Sequence, residues 1–196
     1  MPKVGMEKIR RAQLIDATLA SIEENGLHNT TISVISKKAG VSSGIISHYF
    51  GDKGGLMDAT VRYLLDQLKK DLLEHIEDKS DHKKRLMTII DANFTSFQRS
   101  QRAAITWLSF WAHSMHSPEM ARLQQVNARR LVSNLKYSLR HLIVEEKVEW
   151  CAQLIAAQID GYWLRCALNH QDSNAYETAV ETCKTMINNL IKEYTK

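Results

Sequence analysis

Apolar residues recur three and four positions apart along nearly the whole chain, the spacing that places them on one side of an α-helix. Within residues 7–25, Ile15, Leu19 and Ile22 stand at i, i+4 and i+7, and Leu14, Ala17 and Thr18 widen the stripe. Gly26 follows and suits a left-handed helix end. Thr31 is a good N-cap for a short second helix that points Ile32, Ile35 and Ala39 inward and Ser33, Ser36 and Lys37 outward. Gly40 breaks that helix, and Ser42 caps a third, ending near Phe50. Gly51-Asp52 is a turn, with Asp52 capping a long helix from Lys53. Helical spacing continues through 82–98, 103–115, 117–143, 148–168 and 175–194. The pattern predicts an all-α protein of about nine helices without a sheet. Two prolines, Pro2 and Pro118, and eight glycines leave little punctuation for a β-rich fold.

Composition narrows the function. The net charge is +4, and residues 1–50 hold six basic and four acidic side chains, so half of the excess sits in a quarter of the chain. That is compatible with a polyanionic partner without demanding one. Cys151, Cys166 and Cys183 are few, odd in number and far apart, as expected of small buried hydrophobes in a reducing compartment. No basic leader is followed by an apolar core, and no apolar run reaches the roughly 20 residues that span a bilayer. A cytoplasmic protein is expected, with no membrane partner.

Two short helices flanking Gly40 form a helix-turn-helix pattern. Ile46 and Phe50, one turn apart on the third helix, face inward, which turns Gly44, Ser47 and His48 outward with Ile45 beside them. The stretch TISVISKKAGVSSGIISHYFGDKGGL over residues 31–56 resembles the reading head of the TetR family. Its A-G-V-S turn (Ala39–Ser42), its Y-F ending and its D-K-x-x-L helix start all hold their spacing. The resemblance implies a helix-turn-helix domain over 1–51 and a ligand-binding and dimerisation domain over 52–196. It also implies double-stranded operator DNA as partner and a homodimer. The small, hydrogen-bonding face then enters a major groove. Ser42 begins the reading helix, Gly44 lets backbone approach DNA, Ser43, Ser47 and His48 donate to base edges, and Ile45 touches a thymine methyl. Thr31, Tyr49 and Lys53 are placed for phosphates. Lys3, Lys8, Arg10 and Arg11 could reach phosphates or a minor groove. Gly54-Gly55 departs from the family's habit of acidic residues there and weakens the start of the fourth helix by roughly 1 kcal/mol per glycine.

The remaining chain reads less directly. Trp107, Phe110 and Trp111 share one helix face, more often core than ligand box. The helix over 148–168 is apolar on two sides. One stripe is Ile155, Ile159, Tyr162 and Cys166, expected at the dimer interface. The other is Ala152, Ala156, Asp160, Trp163 and Ala167, in which the acid is expected to be paired. The opening MPKVGMEKIRRAQLIDAT with GIISHYF, WLSFWAHSM and IDGYWLR resembles the choline-responsive repressors of the family. That resemblance implies choline as effector, held by aromatic faces of Trp107, Phe110, Trp111 and Trp163, with Asp160 or Asp91 as countercharge. The alternatives are a TetR-type regulator answering another cationic or apolar molecule and, in a different class, a helical enzyme. For the enzyme the sequence offers only His113 and His116, a possible metal pair where a helix is expected to end in solvent. No catalytic residue, metal or cofactor is expected.

Overall fold

The computed structural model describes residues 6–75, 80–169 and 174–196; the expectation for Lys3 lies outside them. The described residues form ten helical segments: α1 (Met6–Asn29), α2 (Ile32–Ala39), α3 (Ser43–Phe50), α4 (Lys53–His75), α5 (His82–Asn93), α6 (Ser96–Arg99), α7 (Gln101–Ser114), α8 (Pro118–Leu142), α9 (Glu145–Leu168) and α10 (Ala175–Tyr194). Among them no strand forms, apart from a single antiparallel bridge between Ile143 and Thr195. The protein is all-α, as its periodicity predicts. None of the described helices is long and apolar enough to cross a membrane.

The extra segment comes from residues 82–98, which the pattern reads as one helix. The chain leaves the helix at Phe94, whose φ is −123°. The Thr95 hydroxyl donates to Asp71 at 3.0 Å and accepts from the Gln98 amide at 3.4 Å, which starts the single turn α6 afresh. Gly26 also differs from expectation. At φ 70° and ψ 165° it kinks the end of α1 without the left-handed helical turn.

Two compact units result, one from residues 1–67 with 100–121, the other from 68–99 with 122–196. In the first, α1 packs on α2, α3 and α7. Leu14 and Ala17 of α1 meet Ile35, Ile46 and Leu56 in a buried cluster, flanked by half-buried Val41, Ile45, Tyr49 and Phe50. Burying each large aliphatic side chain contributes about 1.5–3 kcal/mol, so this small cluster fixes α2 and α3 on α1. Arg102 of α7 ties down the far side of α1, donating to Asp16 at 2.8 Å and Glu23 at 3.1 Å.

In the second unit α9 packs on α10 and α5. Val148, Ile155 and Ile159 of α9 and Cys183, Ile187 and Leu190 of α10 are buried. All three cysteines are buried free thiols in this unit. Burial raises the Cys151 thiol and pushes Cys183 up to about 11. The Val144 amide donates to the Tyr194 carbonyl at 3.0 Å, fastening the end of α10 to the start of α9.

Candidate DNA-reading face and effector residues

The geometry of the turn follows from two capping side chains, one glycine and a serine pair. The Thr31 hydroxyl accepts from the Val34 amide at 3.2 Å and caps α2. Gly40, at φ 64° and ψ 34°, takes the left-handed conformation that ends α2, with its amide bonded back to Lys37 and Ser36 carbonyls. Asp52 accepts from the Gly55 amide at 2.8 Å and opens α4. Ser42 stands at the N-cap of α3 with extended backbone but makes no capping bond, which corrects the expected cap and leaves its exposed hydroxyl open. Ser36, expected to face outward, is 5% exposed and exchanges a hydrogen bond with Ser43 Oγ at 3.2 Å. The Ser43 hydroxyl is therefore partly engaged in joining α2 to α3.

Gly44, Ser47 and His48 are exposed on one side of α3, with Thr31 exposed at the start of α2. Ile45 and Tyr49 are half-buried against the core cluster, so each offers only an edge to a partner. His48 lies edge-on to Tyr49, ring centroids 4.9 Å apart. Arg11 is engaged elsewhere than expected: its guanidinium sits 4.9 Å from the Phe50 ring centroid and bonds Glu7 at 2.9 Å, holding the end of α3 on α1. Lys53, the first residue of α4, is half-buried. Gly55 has a role that helix propensity hides. A Cβ there would lie 2.0 Å from the Phe50 carbonyl oxygen, so only glycine lets the start of α4 pass under the end of α3.

Trp107 and Phe110 of α7 are buried and edge-on, 5.9 Å between centroids, with Trp111 half-buried 6.5 Å from Trp107. They belong to the first unit. In the second unit, Trp163 is buried and its indole N–H donates to the Gln98 carbonyl at 3.2 Å. Asp160 stands three residues before it on α9. The expected pairing is absent: among the described residues Asp160 has no hydrogen bond or ion pair, and part of its surface is open. Protein crowding round the carboxyl still strips enough water to push it up to about 6. Asp91 is corrected as a countercharge, since Lys184 already pairs with it at 2.6 Å.

The expected dimer stripe is also corrected. Ile155, Ile159 and Cys166 are 0%, 1% and 6% exposed within the single chain, and Tyr162 is half-buried. Ile155, Ile159 and Cys166 fill the protein's own core and cannot face a second copy, whereas Tyr162 keeps an open edge. The open side of α9 is instead Trp150, Leu154, Ala157 and Leu168, with Trp150 and Leu168 more than half exposed. Gly161 lies on the same side, where an added Cβ would meet nothing within 4 Å.

Comparison with known proteins matches residues 14–60 to bacterial regulatory proteins of the tetR family and residues 82–192 to the C-terminal domain of BetI-type transcriptional repressors. The HTH-type transcriptional regulator BetI of Vibrio vulnificus (strain YJ016) is 49% identical over 182 residues, covering 92% of each chain. A TetR transcription regulator from Haloarcula marismortui ATCC 43049 shares the fold with a TM-score of 0.83 at 19% identity, covering 96% of this chain and 100% of that one. A transcriptional regulator from Saccharomonospora viridis, solved in complex with choline, has a TM-score of 0.75 at 18% identity, covering 95% and 97%.

Proposed function

The chain belongs to the TetR family as a BetI-type transcriptional repressor, and from that premise we propose that choline is its effector. In this reading it works in the cytoplasm as a homodimer on a palindromic operator controlling choline uptake and glycine-betaine synthesis. The observation that carries the choline reading is Asp160, a carboxylate with no partner among the described residues, beside Trp163 in the BetI-type domain. A trimethylammonium has no proton to donate, so recognition falls to charge and aromatic faces. Unpaired, Asp160 supplies the charge, and a regulator of the same fold from Saccharomonospora viridis holds choline. Relief of repression requires that choline favour a conformation whose reading helices no longer fit both half-sites.

Isothermal titration with choline and ethanolamine tests this. Ethanolamine keeps the hydroxyl and charge but lacks the methyl groups. Choline should bind at least about tenfold more tightly, the work of roughly 1.4 kcal/mol, and equal affinities would dispose of the aromatic recognition. Asp160→Asn should weaken choline strongly. Because the carboxyl titrates near 6, choline affinity should also fall as pH drops through that value, while Asp160→Asn should show a flat profile. In the free protein the sign is opposite. The raised pKa favours the protonated form in the fold, so that contribution is present at low pH and lost as pH rises through about 6. The same titration on Trp163→Ala, Trp107→Ala and Trp111→Ala decides which rings belong to the site; Phe110 is the further aromatic in this reading.

On DNA, Gly44, Ser47 and His48 meet base edges, with Ser43 and the open edge of Ile45 beside them. Thr31, Ser42, Tyr49 and Lys53 meet phosphates. His48→Ala should lose about 1–3 kcal/mol at particular base pairs, whereas Thr31→Ala should weaken all sequences alike. Binding measured on a panel of single-base operator variants separates the two, and identical uniform losses would refute the assignment.

A further inference from the structure

In the first unit the last turn of α1, the start of α4 and the second half of α7 enclose a cleft of about 650 Å³. Its floor is apolar: Val61, Phe110 and Met120 are buried there, with Leu27 and Met57 half-buried on the walls. Its rim is basic. His28 comes from the end of α1, Lys53 from the first residue of α4, His113 from the last turn of α7 and His116 from the turn that follows it. None of these four side chains makes a hydrogen bond or ion pair with a described residue, and among the described residues no acid lines the cleft. Asp52, next to Lys53, commits a carboxylate oxygen to the Gly55 amide. The histidines do not converge as metal ligands, for no group of three potential ligands gathers among the described residues. The cleft thus joins an apolar floor to an unneutralised basic rim, opposite in sign to the Asp160 region.

We propose that this cleft is a second ligand site, taking an amphipathic carboxylate whose aliphatic tail lies on the Val61–Phe110–Met120 floor and whose carboxylate meets Lys53 and the histidine rim. Each buried methylene favours the tail and the unpartnered rim selects the anion, since a carboxylate gains charge-assisted hydrogen bonds that an alcohol of equal length cannot match. The cleft shares Phe110 with the aromatics weighed in the choline reading, but none of its basic groups belongs to that reading. It draws on the DNA reading at one residue, Lys53, proposed above as a phosphate contact. A carboxylate that holds Lys53 in the cleft withdraws it from the operator, so ligand and DNA oppose each other, and by reciprocity each weakens the other by the same factor.

Calorimetric titration of the full-length protein with decanoate, decan-1-ol and decyltrimethylammonium tests the site. Decanoate should bind once per chain, and the neutral and cationic analogues at least about tenfold more weakly. The double variant His113→Gln/His116→Gln should lose decanoate affinity about tenfold while keeping that for choline. Met57→Trp, which fills the cleft, should abolish decanoate binding, with circular dichroism confirming that it folds; the double variant is a separate route to the same answer. Fluorescence anisotropy on an operator duplex should show decanoate weakening DNA binding by the wild type more than by the double variant. Absence of saturable decanoate binding would overturn the site. Equal binding of decyltrimethylammonium would do so too, as would loss of decanoate in Trp163→Ala instead of the histidine variant. Unchanged duplex affinity with decanoate bound would overturn the competition at Lys53. Failure of the choline reading would show separately, as a missing choline titration with the decanoate results intact.

Discussion

Gly55→Ala will destabilise the reading head, and Gly54→Ala, one residue away, will not. In the interior of an exposed helix an alanine is worth up to about 1 kcal/mol over glycine, so propensity alone predicts that both substitutions stabilise. The structure divides them. At position 54 a new Cβ meets the Asp52 carboxylate oxygen at 3.2 Å, a contact that a small shift of a side-chain end relieves without giving up its bond to the Gly55 amide. At position 55 it meets the Phe50 carbonyl oxygen at 2.0 Å, which is backbone at the end of α3. Relief requires moving α3 away from α4, opening the cluster of Leu14, Ile35, Ile46 and Leu56. Overpacking of this kind costs about 1–3 kcal/mol, and here it also displaces the helix that carries Ser47 and His48. Gly55→Ala should lower the melting temperature and remove specific operator binding together, while Gly54→Ala holds or raises both. Thermal melts of equal stability for the two variants would show that the contact between α3 and α4 is wrong.

Leu154→Arg will yield a folded monomer that does not hold its operator. Leu154 is 37% exposed on the open side of α9, with Trp150 at 52% and Leu168 at 64% along the same face. Such an exposed apolar stripe on an otherwise core-forming helix marks an interface. A second copy of the chain covers it in the dimer proposed above. An arginine buried there without a partner costs several kcal/mol, enough to dissociate the dimer at working concentrations, yet the single chain leaves room for it. Each separated copy then has one reading helix for the proposed two-half-site operator, whose half-sites are expected one or more turns of DNA, about 34–36 Å each, apart. Light scattering should give the mass of one chain with native circular dichroism. A Leu154→Arg protein that stayed dimeric would sink the assignment. Ile159→Lys is the instructive contrast: at 1% exposure Ile159 is core, and that variant should fail to fold.

The two predictions mark where sequence reasoning stops. The helix-turn-helix was legible because its signals are local: Thr31 and Asp52 cap the helices that follow them, and Gly40 takes the left-handed turn its type suits. The stripes on α9 were legible as stripes. Periodicity reports that a face is covered, not by what, so Ile155, Ile159 and Cys166 looked available to a partner when α9 spends them on its own core. Asp91 and Lys184 lie ninety-odd residues apart and meet only in the fold. The need for glycine at 55 depends on where one carbonyl oxygen points. Ser36 reads as surface by type, and its burial comes with the hydrogen bond to Ser43 that joins α2 to α3. Asp160 stands out in the sequence as an odd acid, but that no described residue pairs with it is a three-dimensional fact.

The distribution of cysteines gives the molecule a built-in reporter. All three thiols lie in the second unit and the reading head has none. A thiol reagent attacks the thiolate, and with Cys183 pushed up to about 11 that form is scarce at neutral pH. Covered as all three are, these sulfurs should be silent toward aromatic disulfide reagents until the second unit opens. The slow rate at which they are modified then measures the opening equilibrium of that unit alone. Followed with and without a bound small molecule, labelling would locate where the ligand's stabilisation is felt. An effector seated among α9 and α10 should slow it, whereas one that acts only on the reading head should leave it unchanged.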